Sequence, residues 1–350
     1  MYQGYPLDRI EETGLDAASH ATVTPQQGDL DTRCVRQGTL EQASLRQVSS
    51  ERTACKTIED SGKTAVVRPF MAKSIFQFVK DSLPKLGAAD PLWLKQEEEP
   101  QFKTVEMGDK GPEVVLLHGL FGALSNWDAV QPLMAQYSKA IALSFPLLSA
   151  HRSEVKVKSL ALYTEYFLRN RSFYPTTLCG NSLGGHVALR LYLAAPELVD
   201  CLVLTATSGL YEHSVDALPV RPGREFVLEH MAKVFANPKF ITEEAVSEIV
   251  KILNDRANVL NLIHAARSAK KDNLKDVLCQ VKAPTLLLWG EDDQVTTMEV
   301  AEMFHKLIPN STLVTVKKCG HAPMIEHPEW FSEEVEKFLR KHSRHKLPMK

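Results

Sequence analysis

From about residue 101 the chain alternates short, continuous apolar runs with stretches of helical periodicity, and no other feature restricts the available folds as strongly. The runs are Val114 to Leu117, Ala140 to Leu143, Thr176 to Cys179, Leu202 to Thr205, Thr285 to Trp289 and Leu313 to Val316. A strand that is apolar at every position has no face to give to water, so both of its sides must be covered. Six parallel strands flanked by helices, an α/β fold, are therefore expected. The rhythm breaks once, because the interval from Thr205 to Thr285 is too long for a single crossover helix. Inside it, Val227, Met231, Val234 and Phe235 form one helical stripe, and Val246, Ile249, Val250 and Leu253 form another. Val259, Leu262, Ile263 and Ala266 make a third. Together they predict a small helical cap over residues 209–276, with the core over 101–208 and 277–342 and a solvated basic tail at 343–350.

Ahead of the core the patterning weakens. Residues 1–70 hold Tyr2, Tyr5 and Phe70 as their aromatics and no tryptophan, too little to offset the entropy of ordering, so a disordered extension is expected there. Residues 71–100 read as an amphipathic helix and a linker: Ile75, Phe76, Val79 and Leu83 fall at helical spacing before Pro84. That stripe suits docking on the body, with association of residues 71–86 with a membrane surface as the second reading.

Composition removes several classes of function. Lys and Arg number 41 against 43 Asp and Glu, a net charge of −2, so there is no field to hold a nucleic-acid backbone or an anionic bilayer. No apolar run approaches the roughly 18 residues of a membrane span, and no charged-then-apolar secretory segment opens the chain, so a cytoplasmic protein is expected. The six cysteines include no CxxC pair and no cluster that would build a zinc site. No metal or organic cofactor is implied.

The residues that carry chemistry begin with Gly180-Asn181-Ser182-Leu183-Gly184, placed between the run ending at Cys179 and a helix-patterned segment. A tight strand-to-helix turn thrusts its middle side chain out of the sheet, and glycines two residues to either side leave room for the backbone. Ser182 is thereby a candidate nucleophile, with the amide of Leu183 at the start of the helix facing any developing oxyanion. A serine hydroxyl needs a base, and the base needs an orienting carboxylate. His321 follows the last apolar run on a glycine-bearing loop and is the candidate base. Glu291, Asp292 and Asp293 follow Gly290 at another strand end; Asp293 is favoured as the acid and Asp292 is the alternative. The turn His118-Gly119-Leu120-Phe121-Gly122 could supply a second oxyanion amide, from Leu120 first and Phe121 next. Phe121, Trp127 and Leu210 are candidate apolar lining for a substrate pocket.

These residues resemble those of the α/β-hydrolase superfamily over roughly residues 101–340. The HGLFG turn, the GNSLGG elbow, the WGEDD loop and the CGH loop stand in the family order of serine, aspartate and histidine. The resemblance implies a mostly parallel sheet with helices on both faces and a small helical cap inserted after the sixth strand. It also implies Ser182 as nucleophile, Asp293 as acid, His321 as base, and Leu120 and Leu183 as oxyanion amides. Haloalkane dehalogenases and epoxide hydrolases of this fold carry aspartate where this chain has Ser182. GNSLGGH, the Ser208-Gly209-Leu210 that follows a strand, and the Phe240-Ile241-Thr242-Glu243-Glu244 run are similar to carbon-carbon hydrolases that act on ring-fission products. Those enzymes usually have a more glycine-rich oxyanion loop, a tryptophan after the histidine and a cap arginine; here the positions read Leu120-Phe121, Ala322 and Ile249-Val250. The expected activity is hydrolysis of a small-molecule carboxylic ester through an acyl-enzyme. A carbon-carbon hydrolase of a vinylogous diketone acid, or a thioesterase, is the second reading, and a non-turnover ligand receptor the third.

Overall fold

The computed structural model describes residues 69–122, 124–171, 175–211 and 223–348, so the expectation for residues 1–70 lies almost wholly outside the described residues. Seven strands form one sheet: β1 (Lys103–Met107), β2 (Glu113–Leu117), β3 (Lys139–Ser144), β4 (Thr176–Asn181), β5 (Val199–Thr205), β6 (Thr285–Gly290) and β7 (Ser311–Val316). Their order is β1-β3-β2-β4-β5-β6-β7. Every expected run is a strand, and these strands pair in parallel. β1 is the addition, antiparallel to β3 with Lys103 opposite Ser144 and Met107 opposite Ala140. As an edge strand that stays half exposed, it shows no continuous apolar run to read. The insertion expected after the sixth strand leaves the sheet after β5, because one strand fewer precedes it than the resemblance implies.

The helices are α1 (Pro69–Leu86), α2 (Leu92–Gln96), α3 (Gln131–Met134), α4 (Val157–Arg169), α5 (Leu183–Ala194), α6 (Arg224–Val234), α7 (Glu243–Asn254), α8 (Arg256–Lys271), α9 (Met298–Leu307), α10 (Pro323–Glu326) and α11 (Pro328–His342). Strand residues alternate between two cores, as the pleat requires. Val115, Leu117, Leu178, Leu202, Leu204, Leu287 and Trp289 pack on one face with residues of α1, α4, α5 and α9. Val114, Leu116, Cys179, Val203, Leu286 and Leu288 pack on the other with Met134 and with Phe331, Val335 and Leu339 of α11.

α1 docks on the body. Ile75, Phe76 and Val79 are buried, Phe76 meets Tyr166 at a tilt and Trp93 meets it edge-on, with ring centroids 5.1 and 5.5 Å apart, and Ser82 Oγ donates to Glu165 at 2.9 Å. The stripe that could lie on a membrane surface is thus taken up by α4 and α5. Pro84 sits in the last turn instead of ending the helix before it, and Gly87 at φ 57° closes the end. Among the described residues no helix is long and apolar enough to cross a membrane. The start of the expected solvated tail is also engaged: Ser343 Oγ and the Arg344 N–H donate to Asp200 at 2.7 and 3.0 Å. Asp200 is buried and requires such partners.

Helices α6, α7 and α8 occupy the insertion and share their own apolar cluster of Val227, Met231, Val246, Leu253 and Leu262. Thr242 caps α7 by accepting from the Ala245 N–H at 3.2 Å, and Asp255 caps α8 by accepting from Ala257 at 2.7 Å. The far end is tied to the body at Asp272, which accepts two bonds from Arg190 at 2.7 and 2.8 Å. His186 Nε2 stands 3.2 Å from the same carboxylate without hydrogen-bond geometry. Burial alone would raise the Asp272 pKa, but His186 and Arg190 outweigh it and hold the group at about 2.

Candidate active site

β4 ends at Asn181, α5 begins at Leu183, and Ser182 between them has φ 52° and ψ −116°. A side chain with a Cβ seldom adopts that conformation, which costs on the order of 1–3 kcal/mol unless the surroundings enforce it. Here the Ser182 N–H donates to Thr205 O at 3.0 Å, while its carbonyl accepts from Gly185, His186 and Ser208 at 3.1, 3.2 and 3.2 Å. The elbow is tight enough to need its glycines. A Cβ on Gly184 would lie 2.0 Å from Leu117 O, and one on Gly180 would lie 2.5 Å from the Gly184 carbonyl carbon. Asn181 and Leu183 are buried, whereas Ser182 is half-buried and reaches solvent.

His321, on the loop after β7, places Nδ1 2.9 Å from Asp293 Oδ2 and 3.1 Å from Oδ1. Asp293 is buried but not isolated: it accepts from the Val295 N–H at 2.8 Å, the Thr296 N–H at 3.0 Å and Thr296 Oγ1 at 3.0 Å. A carboxylate so bonded can only accept, so Nδ1 is a ring nitrogen that carries a proton toward it. Asp292 is exposed and donates its N–H to Cys319 O at 2.9 Å. Of the two candidate acids, the structure brings Asp293 to His321. Asn181 Nδ2 in turn donates to His321 O at 3.1 Å, which latches the histidine loop to the residue before Ser182.

Leu120 lies in the turn closed by Gly122 N–H donating to Gly119 O at 3.1 Å. A Cβ on Gly119 would stand 3.3 Å from Ser182 Cβ, so that turn abuts the elbow. Leu183 is the first residue of α5, where an N–H has no intrahelical acceptor and the dipole is positive. Phe121 shares the turn and is 40% exposed. Trp127 departs from its expectation, being fully buried in the core 6.4 Å from the Phe331 ring; a bulky indole beneath the sheet fills space that no ligand can enter. Leu210 is likewise buried in the larger core.

Sequence reasoning missed the polar residues that hold these loops, namely His118, Asn181 and Thr296. His118 and Asn181 lie inside the HGLFG and GNSLGG motifs, but their bonding partners are remote in sequence. The Phe145 N–H donates to His118 Nε2 at 2.9 Å, so Nδ1 carries the proton and donates to Gly119 O at 2.8 Å. Burial lowers the His118 pKa to about 4. The unfolded chain therefore binds a proton from about pH 6.5 downward while the folded one does not, and stability falls as pH drops from about 6.5 to 4. The loss amounts to about 3 kcal/mol at 1.36 kcal/mol per unit. Urea titrations of wild type and His118→Gln at pH 7.5, 5.5 and 4.5 check this: the slope with pH is expected to flatten in the variant.

A model of the alpha/beta hydrolase family matches residues 114–334. The chain is an alpha/beta hydrolase. Relatives of this hydrolase include other hydrolases. The 2-hydroxy-6-oxo-6-(2'-aminophenyl)hexa-2,4-dienoic acid hydrolase of Metapseudomonas resinovorans is 29% identical over 245 residues, 66% of this chain and 84% of its own. The pimeloyl-(acyl-carrier protein) methyl ester esterase of Nitrosomonas europaea is 28% identical over 247 residues, 65% of this chain and 95% of its own. Among solved structures, MGS-MChE2, an alpha/beta hydrolase enzyme from the metagenome of sediments from the lagoon of Mar Chica, Morocco, aligns with a TM-score of 0.56 and 33% identity. That alignment covers 69% of this alpha/beta hydrolase and 96% of the other chain.

Proposed function

We propose that this hydrolase cleaves a small-molecule carboxylic ester through an acyl-enzyme on Ser182. The observation that carries the reading is the 2.9 Å pairing of His321 with Asp293 on a loop latched to the elbow by Asn181. Ser182 Oγ attacks the ester carbonyl as His321 Nε2 takes its proton, and the N–H groups of Leu120 and Leu183 receive the oxyanion. His321 returns the proton to the leaving alcohol. Water then attacks the acyl-enzyme with the same imidazole as base, releasing the acid and restoring Ser182. Asp293 keeps the ring in the useful tautomer and stabilises its cation. Residues 209–276 serve as a cap that selects substrates by shape, and Phe121 lines the approach to the serine.

The Nitrosomonas europaea esterase supports this reading, and the Metapseudomonas resinovorans enzyme supports the carbon-carbon alternative. What favours the ester is the state of the cap arginines. A dienoate carboxylate calls for a desolvated cation, yet Arg224 is half exposed and paired with both oxygens of Glu243 at 2.6 Å. Arg256 is exposed, and Arg221 lies outside the described residues. Steady-state rates on short p-nitrophenyl esters and on a vinylogous diketone acid test the choice. Higher kcat/KM on the esters is expected; the opposite ranking would install the carbon-carbon reading. One slow turnover with a retained acyl group would install the receptor.

A further inference from the structure

The carbonyl of Val234, the last residue of α6, accepts from the His321 N–H at 2.7 Å. Gly320 lies so near that a Cβ there would come within 2.3 Å of Val234 O and 2.9 Å of the Ala236 nitrogen. The histidine loop and the insertion segment Val234–Asn237 therefore run side by side. Glu326, at the end of α10, spans them. It is 7% exposed, and its Oε1 accepts from the Gly320 N–H at 2.6 Å while its Oε2 accepts from the Asn237 N–H at 3.0 Å. A buried carboxylate is costly unless both oxygens are satisfied, and the two amides that satisfy it belong to the two segments it joins.

We propose that Glu326 is a positioning residue that couples the insertion to the base: its carboxylate clamps the loop carrying His321 to the end of α6. The clamp acts on the backbone one residue before the imidazole, so it sets where Nε2 stands relative to Ser182 without touching substrate. It also makes the seating of α6 a condition for an aligned base, so a substrate that settles the cap also settles His321. This inference rests on the acyl-enzyme reading for its kinetic consequence, and on the two hydrogen bonds alone for its structural one.

Glu326→Gln can accept through its amide oxygen from one N–H but opposes the other with its own N–H₂. Displacing a base by a fraction of an ångström is expected to lower kcat about 10- to 100-fold on p-nitrophenyl acetate, with KM within about threefold because no substrate contact is lost. The rate at which a fluorophosphonate labels Ser182 should fall in parallel, and the backbone amides of Gly320 and His321 should exchange hydrogen about tenfold faster. Wild-type exchange at both amides, or wild-type kcat and labelling, overturns the proposal, as does a loss seen in KM alone. If Glu326→Gln does not fold, Glu326→Asp takes its place: it keeps the charge, is one methylene too short to reach both amides, and is expected to lose about three- to tenfold in kcat. Wild-type kcat in that variant is equally fatal. A wild-type protein that takes no fluorophosphonate at Ser182 defeats the acyl-enzyme reading instead, and the exchange rates then decide the clamp by themselves.

Discussion

Ser182→Gly is expected to lower ester turnover by about 10⁴- to 10⁶-fold and to make the protein more stable. Both effects come from one position. On the proposed mechanism, removing the hydroxyl removes the acyl acceptor, and what turnover remains is the contribution of the oxyanion amides and of binding. Stability moves the other way because residue 182 has φ 52° and ψ −116°, a region that residues with a Cβ seldom adopt but that is open to glycine. Relief of about 1–3 kcal/mol of strain exceeds the extra entropy that glycine loses on folding, about 0.5–1 kcal/mol. A net gain of about 1 kcal/mol corresponds to a rise of about 2 °C in Tm for a chain of this size. Urea midpoints and fluorophosphonate labelling check the two halves. A variant that is less stable shows that the elbow is unstrained, and one that still turns over removes Ser182 from the mechanism.

Asp293→Asn is expected to lower kcat about 10³- to 10⁴-fold. The carboxylate accepts from His321, Val295 and Thr296 at once, and an amide in its place must turn an N–H₂ toward one of those donors. If that donor is the ring, His321 is driven to the other tautomer and Nε2 no longer accepts the serine proton. If it is the backbone, a buried N–H loses its partner at about 1–3 kcal/mol. Asp292→Asn serves as the control, since Asp292 is exposed while His321 pairs with Asp293; its kcat is expected within about threefold of wild type. Equal losses in the two variants would return the acid to the undivided pair that the loop sequence presents. The measurement is kcat on a p-nitrophenyl ester at pH 8 together with the labelling rate of Ser182.

The parts of this protein legible before any coordinates are those where one physical requirement controls several consecutive residues. Strands buried on both faces must be apolar throughout, so β2 to β7 announce themselves, and the elbow needs glycine at two fixed offsets from Ser182. β1 was hidden because an edge strand with one wet face can be built from Lys103, Thr104, Val105, Glu106 and Met107. Trp127 shows the limit for lining residues: an apolar side chain near a motif can face a ligand or the core, and only the path of the following helix decides. Asp292 and Asp293 differ by one position on a turn, so chemical type cannot separate them; the hydrogen bonds of Thr296 and Val295 do. The residues that hold the site in place, His118, Asn181 and Glu326, each bond a backbone atom of a distant segment, at Phe145, His321 and Asn237 in turn. Their partners come from chain remote in sequence, which leaves no local pattern to find.

The apolar cluster of Val227, Met231, Val246, Leu253 and Leu262 is separate from the two cores that flank the sheet. Three helices that bury one another's stripes bring much of their cohesion with them, and their polar moorings to the rest of the molecule run from Asp272 to Arg190, Ser268 to Val157 and Asn261 to Ala150 on one side, and from Val234 and Asn237 on the other. An insertion held in this way can drift in shape over evolutionary time, or be exchanged for another, while the sheet keeps its geometry. On the cap role proposed above, new substrates then become accessible by re-fitting these moorings, with no strand of the sheet redesigned.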